Sequence, residues 1–108
     1  MTFETLYAKD LMNTQREENA LVIDIRSREE YYKGHWTGAI VYPYEETDSW
    51  GRNLPYRRTL ILYCDHGGTS MQAARKLGRK GYRVYTVIGG YEAIKKIQEN
   101  YFKNKHSV

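Results

Sequence analysis

One stretch of this 108-residue chain joins a nucleophile to a backbone able to receive an anion: Cys64-Asp65-His66-Gly67-Gly68-Thr69-Ser70. Cys64 is the only cysteine. It directly follows an apolar run ending at Tyr63 and stands six positions before a helix predicted to open near Ser70. In open parallel sheets, ligands bind beyond the carboxyl ends of the strands, which is where this order places the sulfur. Gly67 and Gly68 permit a tight turn whose N–H groups converge on one centre, and the positive end of the following helix adds to it. Such a cradle favours an anion, here the thiolate, which is the nucleophilic form of cysteine. The competing reading is a small buried hydrophobe at a strand end, the ordinary role of a free cysteine. Asp65 works against a thiolate if the two charges lie close. His66 either donates a hydrogen bond to a substrate or faces solvent, and Thr69 and Ser70 either offer hydroxyls to the same centre or cap the helix.

The elements that must position this loop are legible as alternating patterns. Residues 21–25, 60–63 and 84–88 are nearly continuous apolar runs, as expected for strands covered on both faces. Residues 39–42 form a shorter candidate strand, and residues 3–6 a candidate edge strand. Met71, Ala74 and Leu77 recur at helical spacing and predict a helix over 70–80, capped by Thr69 or Ser70 and ended by Gly81. Its basic residues Arg75, Lys76, Arg79 and Lys80 fall in the last turns, where cations complement the negative end of the macrodipole. Further helices are predicted over 91–101, 7–15 and 28–33, a loop over 43–55, and a frayed polar tail over 103–108. Together these predict one doubly wound α/β domain over 1–108, with a central parallel sheet and helices on both faces.

Composition narrows the classes. Seventeen basic against 13 acidic residues give a net charge of +4, spread along the chain rather than blocked, which reads as solvated surface and not as a nucleic-acid interface. A lone cysteine allows no internal disulfide, and the spacing of a structural zinc site is absent. No basic leader precedes an apolar stretch, and no apolar run approaches membrane-spanning length, so a soluble protein of the reducing cytoplasm, without membrane contact, is expected.

The sequence resembles the rhodanese family over nearly its whole length. Asp24-Ile25-Arg26, then Glu30-Tyr31 and Gly34-His35-Trp36-Thr37-Gly38-Ala39, is similar to the family's first signature. Cys64 to Thr69, followed by Gly81-Tyr82 and Gly89-Gly90-Tyr91, is similar to its second. The resemblance implies a rhodanese-like fold and a catalytic cysteine, matched by Cys64, that alternates between thiolate and persulfide. Sulfane sulfur would pass from thiosulfate or a persulfide to a thiol or cyanide acceptor, with no metal or organic cofactor, and a sulfur-relay protein is a further possible partner. Asp65, His66, Gly67, Gly68, Thr69 and Ser70 would form the substrate loop. Asp24 and Arg26 would tie the strand end to neighbouring loops, and His35 would satisfy buried backbone groups rather than bind a metal. Cysteine-loop phosphatases place an arginine after five intervening residues, a position held here by Ser70, so phosphoryl transfer ranks low. Family members that use thiosulfate commonly carry basic side chains in this loop. Asp65 and His66 depart from that pattern, which brings in a thiol-borne persulfide or a protein as donor. The alternatives are a rhodanese-like binding, sulfur-carrier or regulatory module without turnover, and a redox sensor, which lacks a second cysteine to resolve a sulfenic acid.

Overall fold

The computed structural model describes residues 3–50, 53–55 and 57–106, apart from the side chains at positions 48, 50, 102 and 104–106. Five strands, β1 (Glu4–Tyr7), β2 (Leu21–Asp24), β3 (Ile40–Val41), β4 (Leu60–Tyr63) and β5 (Val84–Ile88), form one sheet in the order β1-β5-β4-β2-β3. All four pairings are parallel. Five helices connect or follow them: α1 (Leu11–Glu17), α2 (Arg28–Lys33), α3 (Thr47–Trp50), α4 (Gly68–Arg79) and α5 (Gly90–His106). This is the predicted α/β architecture.

The central strand explains why the sulfur lies where it does. β4 is flanked by β2 and β5, and all four of its residues are buried. Side chains alternate across a strand, so Ile61 and Tyr63 pack on one face with Leu11, Trp36, Val87 and Ile94. Leu60 and Leu62 pack on the other with Ala73, Ala74, Leu77 and Val84. Each fully buried aliphatic side chain stabilises the fold by about 1.5–3 kcal/mol before entropic costs. Cys64 continues the same alternation and joins the face covered by α4. The small residues Ala73 and Ala74 are fully buried there, which lets α4 lie close against the sheet.

Several boundaries differ from the sequence reading. α4 opens at Gly68 and not Ser70, because Gly67 takes the left-handed conformation at φ 115° and turns the chain into the helix. Neither Thr69 nor Ser70 caps it: its N-cap is Gly67, without a side-chain hydrogen bond. The segment read as a loop over 43–55 contains a 3-10 turn at Tyr44–Glu46 running into α3. One or two turns are too short to generate helical periodicity, which is why the pattern hides them. Residues 103–106, expected as frayed, continue α5; residues 107–108 lie outside the described residues. Among the described residues no helix is long and apolar enough to cross a membrane.

Candidate active site

Cys64 Sγ sits at the carboxyl end of β4, 6% exposed, and accepts two backbone hydrogen bonds, from Gly67 N–H at 3.1 Å and Ser70 N–H at 3.3 Å. Both donors belong to the turn that opens α4, so the positive end of the helix faces the sulfur as well. Two N–H donors and the helix end are thus aimed at one atom. The Ser70 hydroxyl is committed elsewhere, donating to the Gly67 carbonyl at 3.0 Å and closing the turn. Ser70 therefore offers the sulfur its amide and not its hydroxyl.

A second helix fixes the loop from behind. Tyr91 N–H donates to the Cys64 carbonyl at 2.7 Å and Glu92 N–H to the Asp65 carbonyl at 3.4 Å. The backbone can approach this closely because position 90 has no side chain: a Cβ on Gly90 would lie 2.4 Å from the Cys64 oxygen and 2.6 Å from Asp65 backbone atoms. Its φ of 60° adds a further penalty for any other residue. Gly90→Ala is expected to destabilise the protein by about 1–3 kcal/mol, the usual cost of forcing atoms into a packed site. Denaturant unfolding measures the loss; an unchanged midpoint would mean that the loop yields without cost.

Asp24 and Arg26 form a buried platform beside the loop. Arg26 Nε lies 3.0 and 3.2 Å from the two Asp24 carboxylate oxygens, and Nη2 donates to Asp24 Oδ2 at 2.7 Å. The Arg26 N–H donates to Asp24 Oδ1 at 2.9 Å, and Nη2 also reaches the Gly34 carbonyl at 2.6 Å. The guanidinium lies over the Tyr91 ring, 4.1 Å from its centroid. Burial works against the Arg26 charge, but the hydrogen bonds and charge of Asp24 outweigh it and hold the pKa above its ordinary value. Beneath it, the Tyr63 hydroxyl is pushed far above the usual phenol range, chiefly by burial and then by the Asp24 carboxylate, and it accepts from Trp36 N–H at 3.1 Å.

Cys64 lines a groove of about 480 Å³ whose walls also include Arg26, Tyr44, Asp65, His66 and Thr69. Gly68, Glu30 and Glu45 also border it. The Asp65 carboxylate is exposed and turned towards Arg26, with 3.9 Å between Oδ1 and Nη1. His66 is more exposed still and places Nδ1 3.1 Å from Glu92 Oε2. A larger hollow of about 730 Å³ lies beside His66 near Tyr7, Ile88 and Lys96, but Cys64 does not line it. His35 stands apart from both: Nδ1 is 2.8 Å from the Tyr31 carbonyl and the ring stacks on Tyr31. Among the aromatic residues, Tyr44 lines the groove and the Tyr91 ring lies against the Arg26 guanidinium. Among the described residues no cluster of three or more His, Cys, Asp or Glu side chains is placed to hold a metal ion. The sequence reading missed the close packing of Gly90 on the loop and the Glu92 partner of His66; the Gly89-Gly90 pair was the one visible signal for the first.

The described architecture corresponds to a known domain. The sequence profile of the rhodanese-like domain matches residues 7–97, most of the chain. The chain belongs to the rhodanese-like family. It is 36% identical over 78 residues to the thiosulfate sulfurtransferase GlpE of Pseudomonas entomophila, covering 71% of this chain and 72% of that protein. It is 38% identical over 72 residues to a tRNA sulfurtransferase of Desulfurococcus amylolyticus, but spans only 14% of that relative's length. Among solved structures, a rhodanese-related protein from Thermoplasma volcanium shares the fold at a TM-score of 0.80 and 23% identity, over 87% of this chain and 92% of that one.

Proposed function

We propose that this rhodanese-like domain is a sulfurtransferase in which Cys64 takes sulfane sulfur from a donor, carries it as a persulfide and passes it to a thiol or cyanide acceptor. The observation that carries this reading is the single cysteine sulfur, placed at the end of the central strand, receiving two backbone N–H groups and lining an open groove. In the first step the Cys64 thiolate attacks the outer sulfur of the donor. A sulfur–sulfur bond to Cys64 forms while the donor's own bond to that sulfur breaks, its electron pair leaving with the rest of the donor. In the second step the acceptor attacks the outer sulfur of the persulfide and the thiolate is regenerated. The Gly67 and Ser70 amides hold negative charge at this position in both steps. Gly68 and Thr69 shape the groove, with the Thr69 hydroxyl available to a bound sulfur. Asp24, Arg26 and His35 serve as supports rather than as reacting groups.

The sulfurtransferase names of the relatives support the same reading. Glu30, Glu45 and Asp65 around the groove favour, as the alternative, a carrier or regulatory domain that loads sulfur without sustained turnover on dianionic donors. Intact-protein mass after incubation with thiosulfate, and separately with a low-molecular-weight persulfide, tests the proposal. A gain of one sulfur that reductant removes is expected from at least one donor. No gain from either would overturn the proposal, and multiple-turnover rates would separate enzyme from carrier.

A further inference from the structure

At the same end of the sheet as the Cys64 groove lies the hollow of about 730 Å³, formed between the carboxyl ends of β1 and β5 and the first half of α5. Tyr7, Ile88, Ala93 and Ile97 give it apolar walls. Tyr7 and Ile88 are register partners on the two strands and remain 58% and 44% exposed. Single exposed apolar side chains are ordinary, but several converging on one concavity mark a place where something binds. The position fits, since open parallel sheets receive ligands beyond the carboxyl ends of their strands, and the volume falls within the roughly 300–1,000 Å³ of small-molecule sites.

Charge decides which molecules suit it. Lys9 and Lys96 border the hollow, and neither ammonium forms an ion pair among the described residues. Lys9 Nζ stands 5.8 Å from the Tyr7 ring centroid, which keeps its charge at the apolar wall. The carboxylate on this rim, Glu92, is engaged by His66 at 3.1 Å. The neighbouring groove is the opposite case: Glu30, Glu45 and Asp65 border it, and its Arg26 is paired with buried Asp24. His66 lines both spaces, so they meet at that side chain. We infer that the hollow is a binding site for an amphipathic organic anion, an alkyl or aryl carboxylate whose apolar body covers Tyr7, Ile88 and Ile97 while its carboxylate meets Lys9 and Lys96. The site is distinct from the sulfur-handling groove and needs no chemistry at Cys64. Because His66 is the second residue after Cys64, an occupant touches the cysteine loop without entering the groove.

The test uses 8-anilinonaphthalene-1-sulfonate, an aromatic monoanion that fluoresces in apolar surroundings, on the whole folded protein. One molecule per chain is expected, displaced by octanoate and not by octylamine, which has the same chain length and the opposite charge. Lys9→Gln combined with Lys96→Gln should weaken the fluorescent anion about tenfold, the order of two exposed charge contacts; Arg79→Gln combined with Lys80→Gln removes equal charge at the end of α4, outside the hollow, and should weaken it less than about twofold. Octanoate should also shift the imidazole resonances of His66 and leave those of His35 in place. No saturable fluorescence gain, octylamine as effective as octanoate, equal weakening by the two pairs of substitutions, or an unmoved His66 would each overturn the assignment. So would co-sedimentation with phosphatidylglycerol vesicles without binding of either soluble anion, or loss of the fluorescent anion as the protein dimerises, since a membrane surface or a second copy would then cover these residues. Sulfur loading at Cys64, read by mass, reports on the sulfurtransferase reading and leaves this one untouched.

Discussion

Cys64→Ser should load no sulfur from any donor while remaining folded. At neutral pH a serine hydroxyl is not ionised, and its oxygen cannot store sulfane sulfur as a reducible persulfide, so turnover should fall by a factor on the order of 10⁴ or more, as when other enzymes lose a covalent nucleophile. The fold should tolerate the change. The Gly67 and Ser70 amides keep an acceptor of similar position, and the side chain contributes little volume to the cluster around Leu62 and Ala73. A stability loss of about 1 kcal/mol or less is expected. Mass spectrometry for loading and thermal unfolding for integrity decide the matter together; a reducible sulfur on the Cys64→Ser protein would remove the basis of the proposed mechanism.

The second large effect lies in stability rather than chemistry. Asp24 is fully buried and supplies both oxygens to Arg26, so Asp24→Ala leaves a buried guanidinium without its counterion. Breaking a buried pair from one side costs about 3–5 kcal/mol. That is a large share of the roughly 5–15 kcal/mol that stabilises a typical domain. A marked drop in the denaturant midpoint is expected, with the surviving folded fraction still loading sulfur from an uncharged-head persulfide. The opposite pattern, an unchanged midpoint with loading abolished, would move Asp24 from the supporting framework into the reaction.

The sequence exposed those parts of this design that rest on pattern. Continuous apolar runs mark β2, β4 and β5 because a strand buried on both faces has no polar side to show, and Cys64 could be placed at a strand end for that reason alone. What stayed hidden depends on meetings between distant segments. Nothing in Asp65 itself says that its carboxylate turns towards Arg26, a residue 39 positions earlier that is brought alongside only by the β2–β4 pairing. The capping role expected of Thr69 and Ser70 failed for a local reason. Both residues have capping chemistry, but the left-handed Gly67 starts the helix before either can act from outside it. His66 illustrates the remaining limit: its two sequence-level readings were evenly balanced, and the exposed contact with Glu92 arises from a helix that begins 24 residues later.

β4, with neighbours on both sides and side chains buried on both faces, belongs to the part of such a sheet that opens only when the whole molecule unfolds. The Cys64 sulfur therefore stands directly after the least mobile segment, whereas Asp65 and His66, the next two residues, line the groove and are exposed. Divergence among descendants of this domain can accordingly retune charge and shape around Cys64 one side chain at a time, at little cost in folding free energy. The strand beneath leaves far less room for change, since almost any substitution there is felt by the entire core.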